Sequence, residues 1–121
     1  MYWEVEFYDD FYQEFQRFSE ELQDILLTRA IVIKEFGPHL GRPYVDTLKG
    51  SEYANMKELR FETKDGVWRV AFAFDPDRKA ILLVAGDKQG VNERKFYQDL
   101  VSKADTRFAD HLKSLKSKPD L

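Results

Sequence analysis

Cysteine is absent from the sequence. Disulfides and thiolate metal centres are thereby excluded, and an intracellular protein is the simplest expectation. Histidine is scarce: His39 and His111 stand far apart in the chain, so no pair sits at metal-ligand spacing. No apolar run approaches the roughly 20 residues that span a bilayer. The first residues, Met-Tyr-Trp-Glu-Val-Glu, lack the basic segment and apolar core of a signal peptide, so a soluble cytoplasmic domain with no membrane partner is expected. Neither a glycine-rich phosphate loop nor a nucleophile elbow occurs, and no repeat, linker or low-complexity segment divides the chain. Positive charge is also in deficit. With 19 basic and 22 acidic side chains the net charge is -3, which disfavours non-specific nucleic-acid binding by bulk electrostatics. Any contact with RNA or DNA must be local.

What is present suits one domain. The 121 residues are 43% hydrophobic and 15% aromatic, enough for a single core over residues 1–115, with 116–121 as a flexible tail. Charge is uneven: Met1 to Phe36 holds three basic and nine acidic side chains, whereas Lys57 to Lys95 holds nine basic and seven acidic. Trp3, Val5 and Phe7 alternate with Tyr2, Glu4, Glu6 and Tyr8, the period of a strand with one apolar face. Asp9 and Asp10 offer an N-cap to a short helix carrying Phe11, Phe15 and Phe18 at helical spacing, an aromatic stripe that reads as core. Ser19 caps a second helix with Leu22, Ile25, Leu26, Ile33 and Phe36 on one face and Gly37-Pro38 at its end. The two helices form a hairpin on the sheet. His39 to Met56, with Gly41, Pro43 and Gly50, reads as a long loop of the kind that carries function.

Three strands follow between Lys57 and Ala85, with Asp65-Gly66 as the turn joining the first two. The third, Lys79 to Ala85, contains the run Ile81 to Ala85, which is apolar on both faces and belongs inside the sheet, with Gly86-Asp87-Lys88 as a sharp exit. Asn92 caps a final helix from Glu93 to about Leu115, whose Phe96, Leu100, Ala104, Phe108 and Leu112 face the sheet. The expected class is α+β, in the order strand, two helices, three strands, helix.

The strand pattern has a consequence for chemistry. Leu59 and Phe61 lie opposite Glu58, Arg60 and Glu62; Trp68, Val70, Phe72 and Phe74 lie opposite Arg69, Ala71 and Ala73. In the antiparallel hairpin even positions of the first strand pair with odd positions of the second, so Arg60 and Arg69 emerge on one face. Adjacent guanidiniums repel. Either an anion such as phosphate sits between them, or Glu58 and Glu62 neutralise them as cross-strand ion pairs. Lys57 and Lys88 are further cations at strand ends, Lys88 being either a rim residue or a surface turn lysine. Arg42 and Lys49 in the loop either meet an anion or are simply solvated. Tyr97 flanks the apolar stripe of the last helix. His39 is a possible proton donor with no base paired to it, and His111 is a packing residue.

Lys57, Arg60, Arg69, Lys88 and Tyr97 are a set of cations with one phenol, with which cleavage of RNA through its own 2′-hydroxyl is chemically feasible. That reaction uses a proton acceptor, stabilisers for charge growing on the phosphate and a proton for the leaving oxygen. Neighbouring cations also depress the pKa of a lysine or tyrosine and make it a better base. It calls for no metal, no cofactor and no protein nucleophile.

Several motifs then converge on a known family. Trp3-Glu4-Val5-Glu6-Phe7, Gly41-Arg42-Pro43-Tyr44-Val45-Asp46-Thr47-Leu48-Lys49-Gly50, Met56-Lys57-Glu58-Leu59-Arg60, Trp68 to Pro76, Gly86-Asp87-Lys88 and Phe96-Tyr97 together resemble toxins of the RelE/ParE superfamily, in its HigB-like, phage-derived branch. The resemblance covers nearly the whole chain. It implies a RelE-like fold, a twisted and mostly antiparallel sheet packed against helices. It also implies the toxin component of a type II toxin-antitoxin system, neutralised by a helix-turn-helix HigA-like antitoxin through which it reaches operator DNA. HigB and RelE relatives are endoribonucleases that cut mRNA on the ribosome; ParE relatives inhibit DNA gyrase. Carried onto this chain, the resemblance makes Arg60, Arg69, Lys57 and Tyr97 catalytic, with Lys88, Arg42 and Lys49 binding RNA phosphate. Two departures, the acidic net charge and the missing histidine cluster of one HigB pattern, keep two alternatives open: a non-catalytic gyrase inhibitor, or a degenerate toxin acting as a regulatory partner.

Overall fold

The alternating segments assemble into a five-stranded sheet in the computed structural model, which describes residues 3–64 and 66–117. Strand β1 (Glu4–Phe7) leads into helices α1 (Asp9–Phe15) and α2 (Glu20–Phe36). Strands β2 (Val45–Thr47), β3 (Met56–Thr63), β4 (Gly66–Phe74) and β5 (Lys79–Asp87) follow, then helix α3 (Glu93–Lys116). The strand order is β1-β5-β4-β3-β2, with β1 parallel to β5 and every other pair antiparallel. This is the expected α+β class, with one strand more than the sequence pattern showed.

Strand alternation splits the core in two. Leu59, Phe61, Val70, Phe72, Ala80 and Leu82 meet Phe11 and Phe15 of α1 and Leu22, Leu26 and Ile33 of α2 on one face. Met56, Ala71, Ala73, Ile81 and Val84 meet Phe96, Leu100, Ala104 and Phe108 of α3 on the other. Strand β5 is buried on both sides, as its uniformly apolar sequence requires. A register shift between Ala71 and Phe72 leaves Leu83 as an extra residue in β5, so that Val84 and Ile81 both face α3. Gly86 faces the same helix, and a Cβ there would lie 2.8 Å from the Phe96 ring. At the end of α2, Gly37 takes φ 55°, and a Cβ on it would fall 2.4 Å from the Trp3 indole.

Helix capping follows the sequence at two of three places. Ser19 accepts from the Leu22 amide and Asn92 from the Lys95 amide, each satisfying one free N–H of a first turn. For α1 the N-cap is Tyr8, without a side-chain bond; Asp9 and Asp10 fall inside the first turn, where their charge still favours the helix dipole. Phe18 lies just beyond α1 and is packed on the core. Phe36 is not on the buried face of α2: it is exposed, and Trp3 closes that end by packing on Gly37 and edge-on against Phe74.

Three other expectations change. The long loop contains a 3-10 turn (Gly37–His39), a cis Arg42–Pro43 bond and strand β2, which pairs with β3. Gly86 and Asp87 continue β5 instead of leaving it, opposite Arg69 and Trp68. Gly66 does not lie in the β3–β4 turn: it opens β4 and pairs with Thr63. Asp65 lies outside the described residues, as do Tyr2 and residues 118–121 of the expected tail, whereas Lys116 is helical. Moving the turn by one residue changes every partner by two and so preserves parity. Arg60 and Arg69 therefore stay on one face and become direct partners.

Candidate functional site

On the α3 side of the sheet, β3 carries Glu58 and Arg60 and β4 carries Arg69. Glu58 is 2% exposed and lies between the two arginines. Arg60 Nε donates to Glu58 Oε1 at 2.5 Å, and Arg69 Nε lies 3.9 Å from the same oxygen. The Tyr97 hydroxyl, brought in by α3, accepts from Arg69 Nε at 3.1 Å and donates to Glu58 Oε1 at 3.3 Å. Arg69 also donates from Nη1 to the Trp68 carbonyl at 3.2 Å. One carboxylate thus serves two guanidiniums and a phenol. Its hydrogen bond to Arg60 pushes the guanidinium pKa above its already high ordinary value.

Of the two readings of the arginine pair, the structure selects neutralisation by Glu58; Glu62 is exposed and takes no part in this cluster. The open gap between two bare cations does not occur. The arginines nevertheless differ in access. The Arg60 side chain is 40% exposed and Arg69 12% exposed, so an incoming anion meets Arg60 first.

Strand β2 adds the next layer. Its register sets Asp46 opposite Glu58, and Asp46 Oδ2 lies 3.5 Å from Arg60 Nη2 and 2.9 Å from Arg42 Nη2. The Arg42 guanidinium, aided by the Thr47 amide, holds the Asp46 carboxyl below its ordinary pKa. Beyond Arg69, Lys88 Nζ pairs with Glu93 at 2.6 Å, and that hydrogen bond lowers the Glu93 pKa, with Arg69 adding to the effect. Cations and carboxylates therefore alternate around the site.

Of the residues singled out in the sequence, Arg60, Arg69 and Tyr97 meet directly, Arg42 joins through Asp46, and Lys88 borders through Glu93. Lys49 is exposed in a groove that also contains Tyr97. Lys57 is not brought in: alternation turns it to the opposite face, where its ammonium reaches Thr47 Oγ1 at 3.4 Å. His39 is exposed and outside the network, while His111 stacks on Phe108 and bonds the buried Asp75 at 2.8 Å, a packing role. Glu58 is the central group that the sequence reading treated only as a counter-ion. Its signal was its position two residues from Arg60, which fixes a shared face. Among the described residues no cluster of three or more histidine, aspartate and glutamate side chains is arranged for a metal ion, and no helix is long and apolar enough to cross a membrane.

Residues 13–109 match the family described as phage derived protein Gp49-like (DUF891). Two curated relatives come from Mycobacterium tuberculosis (strain ATCC 25618 / H37Rv). The putative toxin HigB2 is 42% identical over 95 residues, covering 78% of this chain and 47% of the relative, so the chain spans about half of that protein's length. The putative toxin HigB3 is 46% identical over 89 residues, 73% of this chain and 75% of the relative. Among solved structures, an arginine-to-alanine double mutant of the E. coli toxin RelE in the free state superposes with a TM-score of 0.59. It covers 85% of this chain and 97% of that one at 12% identity, a likeness of fold.

Proposed function

Since the chain belongs to the phage-derived Gp49-like family and has two toxins called HigB among its relatives, we propose that it is the toxin of a type II toxin-antitoxin pair. It acts as an endoribonuclease on ribosome-bound mRNA, in the cytoplasm, and is restrained by a helix-turn-helix HigA-like antitoxin. The observation that carries the catalytic part is the direct pairing of Arg60 with Arg69 around Glu58 and Tyr97.

Approach of the scissile phosphate to the exposed side of Arg60 draws the guanidinium off Glu58, whose oxygen then has a free lone pair. Glu58 takes the proton of the 2′-hydroxyl, the 2′ oxygen attacks phosphorus, and the bond to the 5′ oxygen breaks. Both arginines face the charge that gathers on the non-bridging oxygens. The Tyr97 hydroxyl protonates the departing 5′ oxygen and is reprotonated by Glu58 along their existing hydrogen bond, so the products are a cyclic phosphate and a 5′-hydroxyl. The order of events requires no group beyond those in contact.

The test is expression of the wild type, Arg60→Ala and Arg69→Ala without the antitoxin, with transcript ends mapped and folding checked by circular dichroism. Growth arrest and mRNA cuts are expected from the wild type alone. Undiminished toxicity of both folded variants would remove the site. The engagement of both guanidiniums by Glu58 favours one second reading, a non-catalytic inhibitor of DNA gyrase. Inhibition of gyrase supercoiling by purified protein that leaves mRNA intact would establish it instead.

A further inference from the structure

Beside the arginine cluster, and joined to it through Tyr97, lies an open groove of about 470 Å³ between the β2–β3 connection and the first turns of α3. Lys49 stands on one wall; Arg94, Tyr97, Gln98 and Val101 form the other, with Glu93 also in the lining and its carboxylate held by Lys88. Its charges differ from those of the cluster. Arg42, Arg60, Arg69 and Lys88 each face a carboxylate, whereas Lys49, Arg94 and the Gln98 amide make no hydrogen bond or ion pair among the described residues. The cations left without counter-ions in this part of the molecule are therefore in the groove, not at the arginine pair. The apolar part of the lining comes from Tyr97 and Val101, both half-buried.

We propose that this groove holds the nucleotide next to the scissile phosphate of a single-stranded RNA. Its base lies against Tyr97 and Val101, its edge is read by Gln98, and its flanking phosphates are held by Lys49 and Arg94. The proposal rests on the nuclease reading for the position of the cut but makes its own claim about binding. Apolar lining together with two unpaired cations in one groove suits a base with its flanking phosphates, and stacking with backbone charge contacts is how proteins hold unpaired strands. A carboxamide carries donor and acceptor in one plane, as base-edge recognition demands. Tyr97 serves both places, since its hydroxyl touches Arg69 and Glu58 while its ring lines the groove. A base seated there would place the adjoining phosphate beside Arg60 and Arg69, and the neutralised arginines would not have to capture the strand unaided.

The experiment uses a fluorescent oligoribonucleotide made uncleavable by 2′-O-methyl groups, titrated against wild type, Lys49→Ala/Arg94→Ala and Gln98→Ala over a range of salt concentrations. Loss of two phosphate contacts should weaken binding by about tenfold and lower the slope of log affinity against log salt by about 1.4. Gln98→Ala should keep the salt slope, and mapped cuts in natural RNA should lose their base preference at one position beside the cut. Wild-type affinity and slope in the double variant would overturn the proposal. So would variants that lose the antitoxin but keep RNA, since the groove would then be a protein-binding surface. The two readings fail separately: normal binding and cutting by the groove variants removes the groove alone, whereas groove-dependent binding of RNA that is never cut supports the groove and removes the nuclease.

Discussion

Among the described residues arginine meets glutamate at two places, and the two differ in how fully the guanidinium is enclosed. At Glu14 of α1 the enclosed partner is Arg107 of α3, with the exposed Lys103 ammonium 3.9 Å away as a second cation. The Arg107 guanidinium bonds Glu14 through Nη1 at 3.0 Å and Nη2 at 2.5 Å, and Nη1 also reaches the carbonyl of the extra residue Leu83 at 2.7 Å. It lies over the Tyr8 ring, whose hydroxyl is tied to Asp110 strongly enough to push its pKa up to about 12. Arg107 is 7% exposed, with its donors turned inward; it joins α1, β5 and α3. At Glu58 two guanidiniums share one carboxylate, and the Arg60 side chain stays 40% exposed. A guanidinium enclosed on its donor side closes on its partners and braces the fold, while one left part-exposed at a surface still has affinity to offer a ligand.

The sharpest way to break this contrast is to remove each arginine in turn. Arg60→Ala and Arg69→Ala should each lower RNA cleavage by about 100-fold or more, roughly 3 kcal/mol of transition-state stabilisation. Urea denaturation of Arg60→Ala should show a stability loss below about 1 kcal/mol, because that side chain is part-exposed. Arg107→Ala should do the reverse. Leaving Glu14 and the Leu83 carbonyl without their donor should cost about 3 kcal/mol in the same denaturation, and residual cleavage should track the folded fraction. Arg107→Lys should not restore it, since an ammonium cannot span both carboxylate oxygens and a carbonyl. If Arg107→Ala proves stable, the enclosed arginine is no brace.

A smaller effect is expected from Glu58→Gln, which keeps the shape but removes the shared charge. Uncleavable RNA should bind about fivefold tighter, on the order of 1 kcal/mol for one nearby charge in a wet site, while cleavage falls. Weaker RNA binding by that variant would mean that Glu58 shapes the arginines for the ligand and does not compete with it.

The slightest difference should appear with pH. The Arg107 hydrogen bond holds the Glu14 carboxyl below its ordinary range. A depressed folded pKa gives stability that is complete above the unfolded value of about 4.3 and is lost as pH falls through the folded one. Denaturation midpoints taken from about pH 6 down to about pH 3 should therefore decline more steeply for the wild type than for Arg107→Ala. Parallel declines would remove Glu14 as the source.

Local pattern carried much of the fold. The period-two segments became β1, β3 and β4, the run apolar on both faces became β5, the four-residue stripe of α3 became its buried face, and Ser19 and Asn92 capped the helices they precede. Each of these depends on residues within a turn or a strand pair. Parity put Arg60 and Arg69 on one face, and the same alternation already assigned Lys57 to the other, so its inclusion in the site missed a signal that was present. Strand β2 left no comparable trace: three residues, Val45–Thr47, are too few for a period and gain their conformation from pairing with β3.

By itself, then, the sequence determined which side chains share a face, because alternation and helical periodicity are properties of neighbouring residues. The tertiary structure alone decided that Arg60 and Arg69 are direct partners, that β2 delivers Asp46 and Arg42, and that α3 lays Tyr97 against a Glu58 39 residues away. Those contacts join distant segments whose approach is set by core packing on both faces of the sheet, and no local repeat in the chain encodes them.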